Sequence, residues 1–452
     1  MRVKQYKFKL ALSALLLAAL VAPSRAPAKE KTKQNSQPGG SGRLQATPAP
    51  INANFLDLAA SFQPGPGITI RRLTNGPAGH MLSYYDINIF WNQQQKILFN
   101  TADHCNGKFG KNGVPNWQIV AIKPDGNDEA LLINRQPPSE TTTRFDLSSD
   151  SQFASYAKRN PSPETGWDLY GFFLGDRAAI KEIRITRNQY PISTNKIKTS
   201  PATFDLKRKQ YIIAFSINNH LYVVQANGQG PNGRPGPQKI QLNDPEIENT
   251  FHRIRLNPKY SNLIFYRRNA KKQEALASSS PNLWVTDWSK PTEKPTLWHN
   301  QAKGVHMVWT PEGENIATAG TWTEYHVVSN QGNIIPGINP NTVKTRQIGP
   351  FGKGNPAYAR IFYGSYSPDG ALIAIATRPD NDDGGKLWLM NRETGQVTYL
   401  AKSRSNGPIP CGQPRLGFFS GNRGIAFSTD NSWAEPIWKE PQVYTITGFS
   451  AP

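Results

Sequence analysis

The stretch Arg360-Ile361-Phe362-Tyr363-Gly364-Ser365-Tyr366, Ser367-Pro368-Asp369-Gly370, Ala371-Leu372-Ile373-Ala374-Ile375-Ala376 decides the fold. Two runs of aromatic and aliphatic residues, suited to strands, flank a four-residue turn. Pro368 presets the φ angle of its turn position, and Gly370 takes the left-handed conformation that closes the turn. The pattern recurs. His306-Met307-Val308-Trp309 leads through Thr310-Pro311-Glu312-Gly313 into Asn315-Ile316-Ala317, and His252-Arg253-Ile254-Arg255-Leu256 leads through Asn257-Pro258 into Asn262-Leu263-Ile264-Phe265-Tyr266. Weaker copies turn near Asn92, Ser149, Lys207 and Gly421. Successive turns lie roughly 50 to 58 residues apart, the length of a four-stranded blade with its loops.

Third strands follow at Asn116-Trp117-Gln118-Ile119-Val120, His220-Leu221-Tyr222-Val223-Val224, Asn282-Leu283-Trp284-Val285, Lys386-Leu387-Trp388-Leu389 and Gln442-Val443-Tyr444-Thr445-Ile446. With the weak copies the count reaches seven blades. The last blade lacks an outer strand, while Ile68-Thr69-Ile70-Arg71-Arg72-Leu73 precedes the first blade without a partner. Pairing these closes the ring and removes an exposed sheet edge. The expected fold is therefore all-β, a seven-bladed β-propeller closed by an N-terminal strand. Thirty-seven Gly and 37 Pro among 452 residues argue against the competing helical solenoid.

Outward from the repeats, the N-terminal region reads differently. Arg2, Lys4, Lys7 and Lys9 precede an apolar run from Leu10 to Ala22 and the small-x-small pattern Ala26-Pro27-Ala28, so residues 1–28 read as a secretory signal peptide. That run is shorter than the roughly 20 residues of a membrane-spanning helix, and no transmembrane segment is expected. Residues 29–66, rich in Lys, Pro, Gly, Gln and Ser, read as a flexible basic linker, and residues 67–452 as the propeller. The expected location is secreted or periplasmic.

The formal charge of +20 is unevenly spread. Nine basic residues against Glu30 alone place a net +8 before residue 44, leaving +12 for the rest. Outside the cytosol nucleic acid is not the expected polyanion, and an anionic polysaccharide is the expected partner. Cys105 and Cys411 are the only cysteines. On spacing alone a disulfide and two separate buried thiols stand level. Ring closure makes the first and last blades neighbours, which favours a disulfide across the closure.

The Ser367-Pro368-Asp369-Gly370 turn, its degenerate copies and their strands resemble the TolB-type repeats of secreted propellers. Within that group the blade order is most similar to the seven-bladed polysaccharide lyases, oligogalacturonate lyase first and the propeller ulvan lyases second. The Gly-x-Ser-x-Gly elbow of propeller peptidases is absent.

In such a ring the innermost strands begin at one face, and the loops between second and third strands return to it. His80, His252 and His306 stand at or just before innermost strands, and His104 lies in the second-to-third loop of blade one. Tyr266, Arg267 and Arg268 reach the corresponding loop of blade four, Arg378 and Asp380 that of blade six, and Asn431 and Trp433 that of blade seven. Singly, each His reads as a loop residue with a local hydrogen bond. Convergence from separate blades favours a site.

The resemblance implies proton abstraction at C5 of a uronic acid, which needs a base and neutralisation of the adjacent carboxylate. Oligogalacturonate lyases hold a metal on several His and a Gln, with an Arg as the presumed base. His306 matches one ligand position here, but the blade-six positions for the others read Tyr358, Arg360, Phe362 and Tyr363. No cofactor is therefore expected, with a divalent metal left open. Ulvan lyases instead use a His pair with Tyr and Arg from following blades. On that template His80, His104, Tyr170 and Arg187 are the catalytic candidates. His252, Tyr266, Arg267, His306 and Arg360 are the substrate-binding candidates. The leading expectation is a secreted lyase cleaving an acidic, uronate-containing polysaccharide by β-elimination. A non-catalytic periplasmic propeller that binds a glycan or envelope protein is the alternative class. A hydrolase or epimerase ranks third, since no paired carboxylates stand at a recognisable motif.

Overall fold

The Ser367-Pro368-Asp369-Gly370 turn closes as its residues dictate. In the computed structural model the Gly370 amide donates to the Ser367 carbonyl at 2.9 Å, with Gly370 at φ +74°. Asp369 Oδ1 accepts from Ser367 Oγ at 2.6 Å and from the Ala371 amide at 3.0 Å, while Ser367 Oγ accepts from the Leu372 amide at 2.8 Å. Ser148-Ser149-Asp150-Ser151 repeats this network: Ser148 Oγ donates to Asp150 Oδ1 and accepts from the Phe153 amide, and Ser151 occupies the glycine position at φ +62°. One turn design thus survives the loss of both Pro and Gly.

The structure describes residues 62–74, 79–83, 88–102, 117–133, 145–159, 167–175, 180–186, 198–217, 220–242, 251–268, 283–290, 293, 295–299, 306–335, 345–351, 361–377, 385–402, 415–429 and 442–452. Of two separate units, Met1–Gln45 lies outside the described residues, and Ala46–Pro452 carries everything that follows.

Seven antiparallel sheets succeed one another along the chain, and each is a blade. Blade one holds Gly79–Met81, Lys96–Ala102, Trp117–Ile122 and Ala130–Ile133, with Phe90–Trp91 extending its broken innermost strand. Blade two holds Asp146–Leu147, Phe153–Arg159, Trp167–Phe173 and Ile183–Arg184. In blade three the innermost strand is again split, into Lys198–Thr199 and Thr203–Asp205, ahead of Gln210–Ile217, His220–Gln225 and Gln238–Lys239. Phe251–Leu256, Leu263–Arg268, Leu283–Asp287 and Thr296–His299 form blade four, and Met307–Trp309, Asn315–Thr318, Thr323–His326 and Thr345–Gln347 form blade five. Blade six runs Ile361–Tyr366, Leu372–Thr377, Lys386–Asn391 and Val397–Lys402. Blade seven takes Arg415–Phe419, Gly424–Thr429 and Gln442–Thr447 from the end of the chain. Its fourth strand is Thr69–Arg72, with Thr69 opposite Thr447 and Arg72 opposite Tyr444. The all-β, seven-bladed propeller closed by an N-terminal strand is the observed fold. Among the described residues the single helical turn is a 3₁₀ turn at Asn92–Gln94.

The core lies between blades, because each sheet buries both faces. Leu372–Thr377 is buried at all six positions and therefore reads as a continuous apolar run without alternation. One cluster joins Phe153, Leu169 and Ile185 of blade two to Tyr211, Ile213 and Val224 of blade three. Another joins Ile212, Ala214 and Val223 of blade three to Ile254, Ile264 and Trp288 of blade four. Hydrogen bonds cross seams between consecutive blades at the repeat spacing. Thr203 Oγ1 donates to the Asn257 carbonyl at 2.9 Å, Asn257 Nδ2 to the Gly313 carbonyl at 2.7 Å, and Asn422 Nδ2 to Asp369 Oδ2 at 2.6 Å.

Candidate functional site

The innermost strands all begin at one end of their sheets, and the strand pairing gives each candidate its height there. In blade one His80 sits in Gly79–Met81 opposite Thr101, and Met81 lies opposite Asn100. In blade four Phe251 pairs with Arg268 and Arg253 with Arg267, leaving His252 as the extra residue of a bulge. Blade six carries the same irregularity at the same place: Ile361 pairs with Thr377 and Tyr363 with Ala376, with Phe362 as the extra residue. Both bulges fall five residues before the turn, and such bulges re-aim side chains at the rims of closed sheets. His306 immediately precedes Met307–Trp309, and its carbonyl accepts from the Ala319 amide at 2.8 Å. The fold thus brings His80, His252 and His306, with Arg267 next to the last residue of its strand, to one end of the ring.

Three candidates have described side chains, and all three are buried. The His306 ring packs between aromatic neighbours from blade six, with centroids 5.0 Å from Phe362 and 4.7 Å from Tyr363. Tyr266 lies in the core between blades three and four. Tyr170 lies in the core between blades one and two, stacked on Tyr156 at 6.1 Å with Lys158 Nζ 5.1 Å from its ring centre. His104, Arg187 and Arg360 lie outside the described residues, as do Arg378, Asp380, Asn431, Trp433 and both cysteines, Cys105 and Cys411.

Sequence reasoning missed Arg415, which opens the innermost strand of blade seven and is almost fully buried. Its Nη1 donates to the Leu82 carbonyl of blade one at 3.1 Å, while the Leu82 amide donates to Ser428 Oγ of blade seven at 3.3 Å. A cation thus stands at the closure seam, beside the strand that carries His80. The signal available in the sequence was its place, five residues before the Ser420-Gly421 turn, the spacing that marks His252 and Phe362.

Charged groups farther along the strands hold blades five and six together. Arg392 donates to Glu324 Oε1 at 2.7 Å and to both carboxylate oxygens of Glu312, and its guanidinium lies 5.3 Å over the Tyr366 ring. Tyr366 donates to Glu324 Oε1 at 2.5 Å, and burial together with that carboxylate pushes its hydroxyl well above the usual tyrosine range. Burial alone would raise the Glu312 carboxyl, but hydrogen bonds led by Arg392 outweigh it and hold Glu312 below its ordinary value.

The lyase resemblance would place one metal ligand at His306. The His306 ring faces Phe362 and Tyr363 where that site would call for further imidazole ligands, and among the described residues no three His, Cys, Asp or Glu side chains cluster to hold an ion.

No family model matches the sequence, and no curated protein matches it. Solved structures do. An oligogalacturonate lyase in complex with manganese is similar at TM-score 0.57 and 14% identity, over 84% of this chain and 93% of that one. The oligogalacturonate lyase from Vibrio parahaemolyticus is similar at TM-score 0.54 and 13% identity, over 84% and 93%. A putative TolB from Agrobacterium tumefaciens is similar at TM-score 0.33 and 10% identity, over 55% and 73%. At these identities the likeness to the two lyases is one of fold: the chain shares the seven-bladed propeller of oligogalacturonate lyase.

Proposed function

We propose that the chain is a secreted lyase that cleaves an acidic, uronate-containing polysaccharide of ulvan or pectin type by β-elimination. The observation that supports this reading is the gathering of His80, His252, His306 and Arg415 at the strand-start end of four different blades, with Arg267 beside them. Basic residues concentrated there suit an anionic chain lying across the ring. In the reaction a base removes the C5 proton, and its electron pair forms the C4–C5 double bond. The C4–O bond breaks, and the departing oxygen takes up a proton. His80 and His104 share base and carboxylate-neutralising roles, with Tyr170 and Arg187 as the partners the ulvan-lyase resemblance assigns. His252, Arg267 and Arg360 hold neighbouring sugar units, while Tyr266 and His306, both buried, back them from within the blades. The test is a screen of pectin fragments, ulvan, glucuronan and glycosaminoglycans for growth of the unsaturated-uronate absorbance band. Growth with one polymer supports the reading.

One observation favours a second reading. Tyr170, Tyr266 and His306 are enclosed by neighbouring side chains and not open to solvent. A propeller that binds a glycan or envelope protein without chemistry needs no exposed base. Retention of an acidic polymer in affinity electrophoresis, with no absorbance growth on any of the four, would identify that class.

A further inference from the structure

Opposite the strand starts, at the end where innermost strands turn into second strands, blades two and three present an unusual surface. Among the described residues four large apolar side chains are exposed, and three of them meet here: Phe173 at 47%, Phe204 at 37% and Leu206 at 84%. The fourth, Leu131, stands on the outer strand of blade one. Phe173 and Phe204 continue an aromatic cluster that runs out of the core. Phe153 stacks on Tyr211 at 5.1 Å, Phe173 lies 5.0 Å from Phe153, and Phe204 meets Tyr211 at 5.1 Å and 63°. Tyr211 is fixed by a 2.6 Å hydrogen bond to Asp150 of blade two.

Around this patch cations predominate, with the exposed Asp150 carboxylate, which accepts from Tyr211, as the acidic exception. Lys207 and Lys209 follow Leu206 in the same turn, and Arg234 stands in the next loop of blade three; all three are exposed, and none has an ion-pair partner among the described residues. Arg208, between the two lysines, is used otherwise. It donates to Asp205 Oδ2 at 2.8 Å and to the Pro231 carbonyl at 3.2 Å, tying the Leu206 turn to the loop that carries Arg234. The apolar apex and its cations are therefore presented together from a braced base.

An aliphatic side chain at the apex of a turn, flanked by half-exposed phenyl rings and unpaired cations, matches the interface of an anionic bilayer, where apolar groups enter below headgroups that attract Lys and Arg. It matches a saccharide less well. Phe173 and Phe204 meet Tyr211 edgewise, and the most exposed apolar group, Leu206, is a branched aliphatic chain and not a flat ring on which a sugar could stack. We propose that this surface of blades two and three docks on an anionic lipid membrane, with Leu206 entering the interface and Lys207, Lys209 and Arg234 over the headgroups. Docking there leaves the strand-start end of the ring facing away from the lipid.

Vesicle flotation of the full chain tests this, comparing phosphatidylglycerol–phosphatidylcholine vesicles with phosphatidylcholine alone. The basic segment before residue 44 also attracts anionic lipid, so the readout is each variant relative to the parent chain at one salt concentration. Leu206→Ser and Lys207→Ser/Lys209→Ser are each expected to lower the partition coefficient at least about fivefold, with an unchanged melting temperature. Leu131→Ser should partition like the parent. Parental partitioning of Leu206→Ser overturns the proposal. So does a loss confined to acidic polysaccharide in affinity electrophoresis, which would make the patch a second glycan site.

Discussion

Asn257 of blade four donates from Nδ2 to the carbonyl of Gly313 in blade five, and its Oδ1 accepts from the amides of Lys259 and Tyr260 at 2.9 Å. One fully buried side chain therefore shapes its own turn and pins the next blade. Gly313 has φ +74°, and a Cβ there would overlap the Asn257 amide group, so the two residues form a unit. Asn257→Ala leaves a buried carbonyl and two turn amides without their partner and should cost about 1–3 kcal/mol. Gly313→Ala should cost a similar amount, through the strained φ and the displaced amide. Because both break the same contact, the double variant should lose clearly less than the sum of the two, as measured by urea denaturation.

Acid should loosen the seams between blades. Burial alone would raise the carboxyls of Asp205, Glu312 and Asp369, but hydrogen bonds from Arg208 and Ser261, from Arg392, and from Ser367 and Asn422 respectively hold all three below their ordinary values. A group depressed in the folded state binds its proton more readily when unfolded. Its contribution is therefore complete above the ordinary values of 3.8 and 4.5 and is lost as pH falls through the folded value. The urea midpoint should be flat from about pH 7 to about pH 5 and fall steeply below about pH 4. Glu312→Gln should show a shallower fall, and a variant as acid-sensitive as the parent would remove Glu312 from the account.

The hydrogen bonds between Leu82, Ser428 and Arg415 make blades one and seven neighbours. Cys105 follows the second strand of blade one, and Cys411 precedes the innermost strand of blade seven. A disulfide across the closure is expected, closing a long loop and contributing about 3–5 kcal/mol on chain-entropy grounds. Thiol labelling of the unfolded, non-reduced protein should find no free thiol; two would refute the bond.

Replacing His80 or His104 with Ala should lower lyase turnover at least about a hundredfold without unfolding the protein. Arg267→Ala should raise KM more than it lowers kcat if that side chain only holds substrate. Chelator should leave the rate nearly unchanged. A His104→Ala protein with a normal rate, or an enzyme silenced by chelation and restored by manganese, would move the chemistry to the oligogalacturonate-lyase template centred on His306.

The repeats were legible because the turn carries its own chemistry. Pro368, Asp369 and Gly370 each satisfy a backbone requirement that sequence alone states, and the weak copy at Ser149 was found by spacing although Ser151 replaces the glycine. The third strand of blade five was not legible. Thr323-Glu324-Tyr325-His326 has no apolar run, and its central Glu324 is buried because Arg392 of blade six, 68 residues on, neutralises it. A charge pair between blades writes no local pattern. The candidate site was legible as strand starts, since position in the repeat fixes height along the strand. Burial was not. Whether Tyr170, Tyr266 and His306 face the funnel or the seams depends on the neighbouring blade, as the packing of Phe362 and Tyr363 against His306 shows.

The most direct test of the proposed function follows two products in one digest of the polymer that responds best: new reducing ends, and unsaturated-uronate absorbance. β-Elimination makes one unsaturated end with every new reducing end, so the two should rise together in a ratio near one, and both should cease in His80→Ala. Reducing ends that accumulate without absorbance would mean hydrolysis. If neither product rises while the polymer is still bound, the chain is a binding propeller and the lyase reading is wrong.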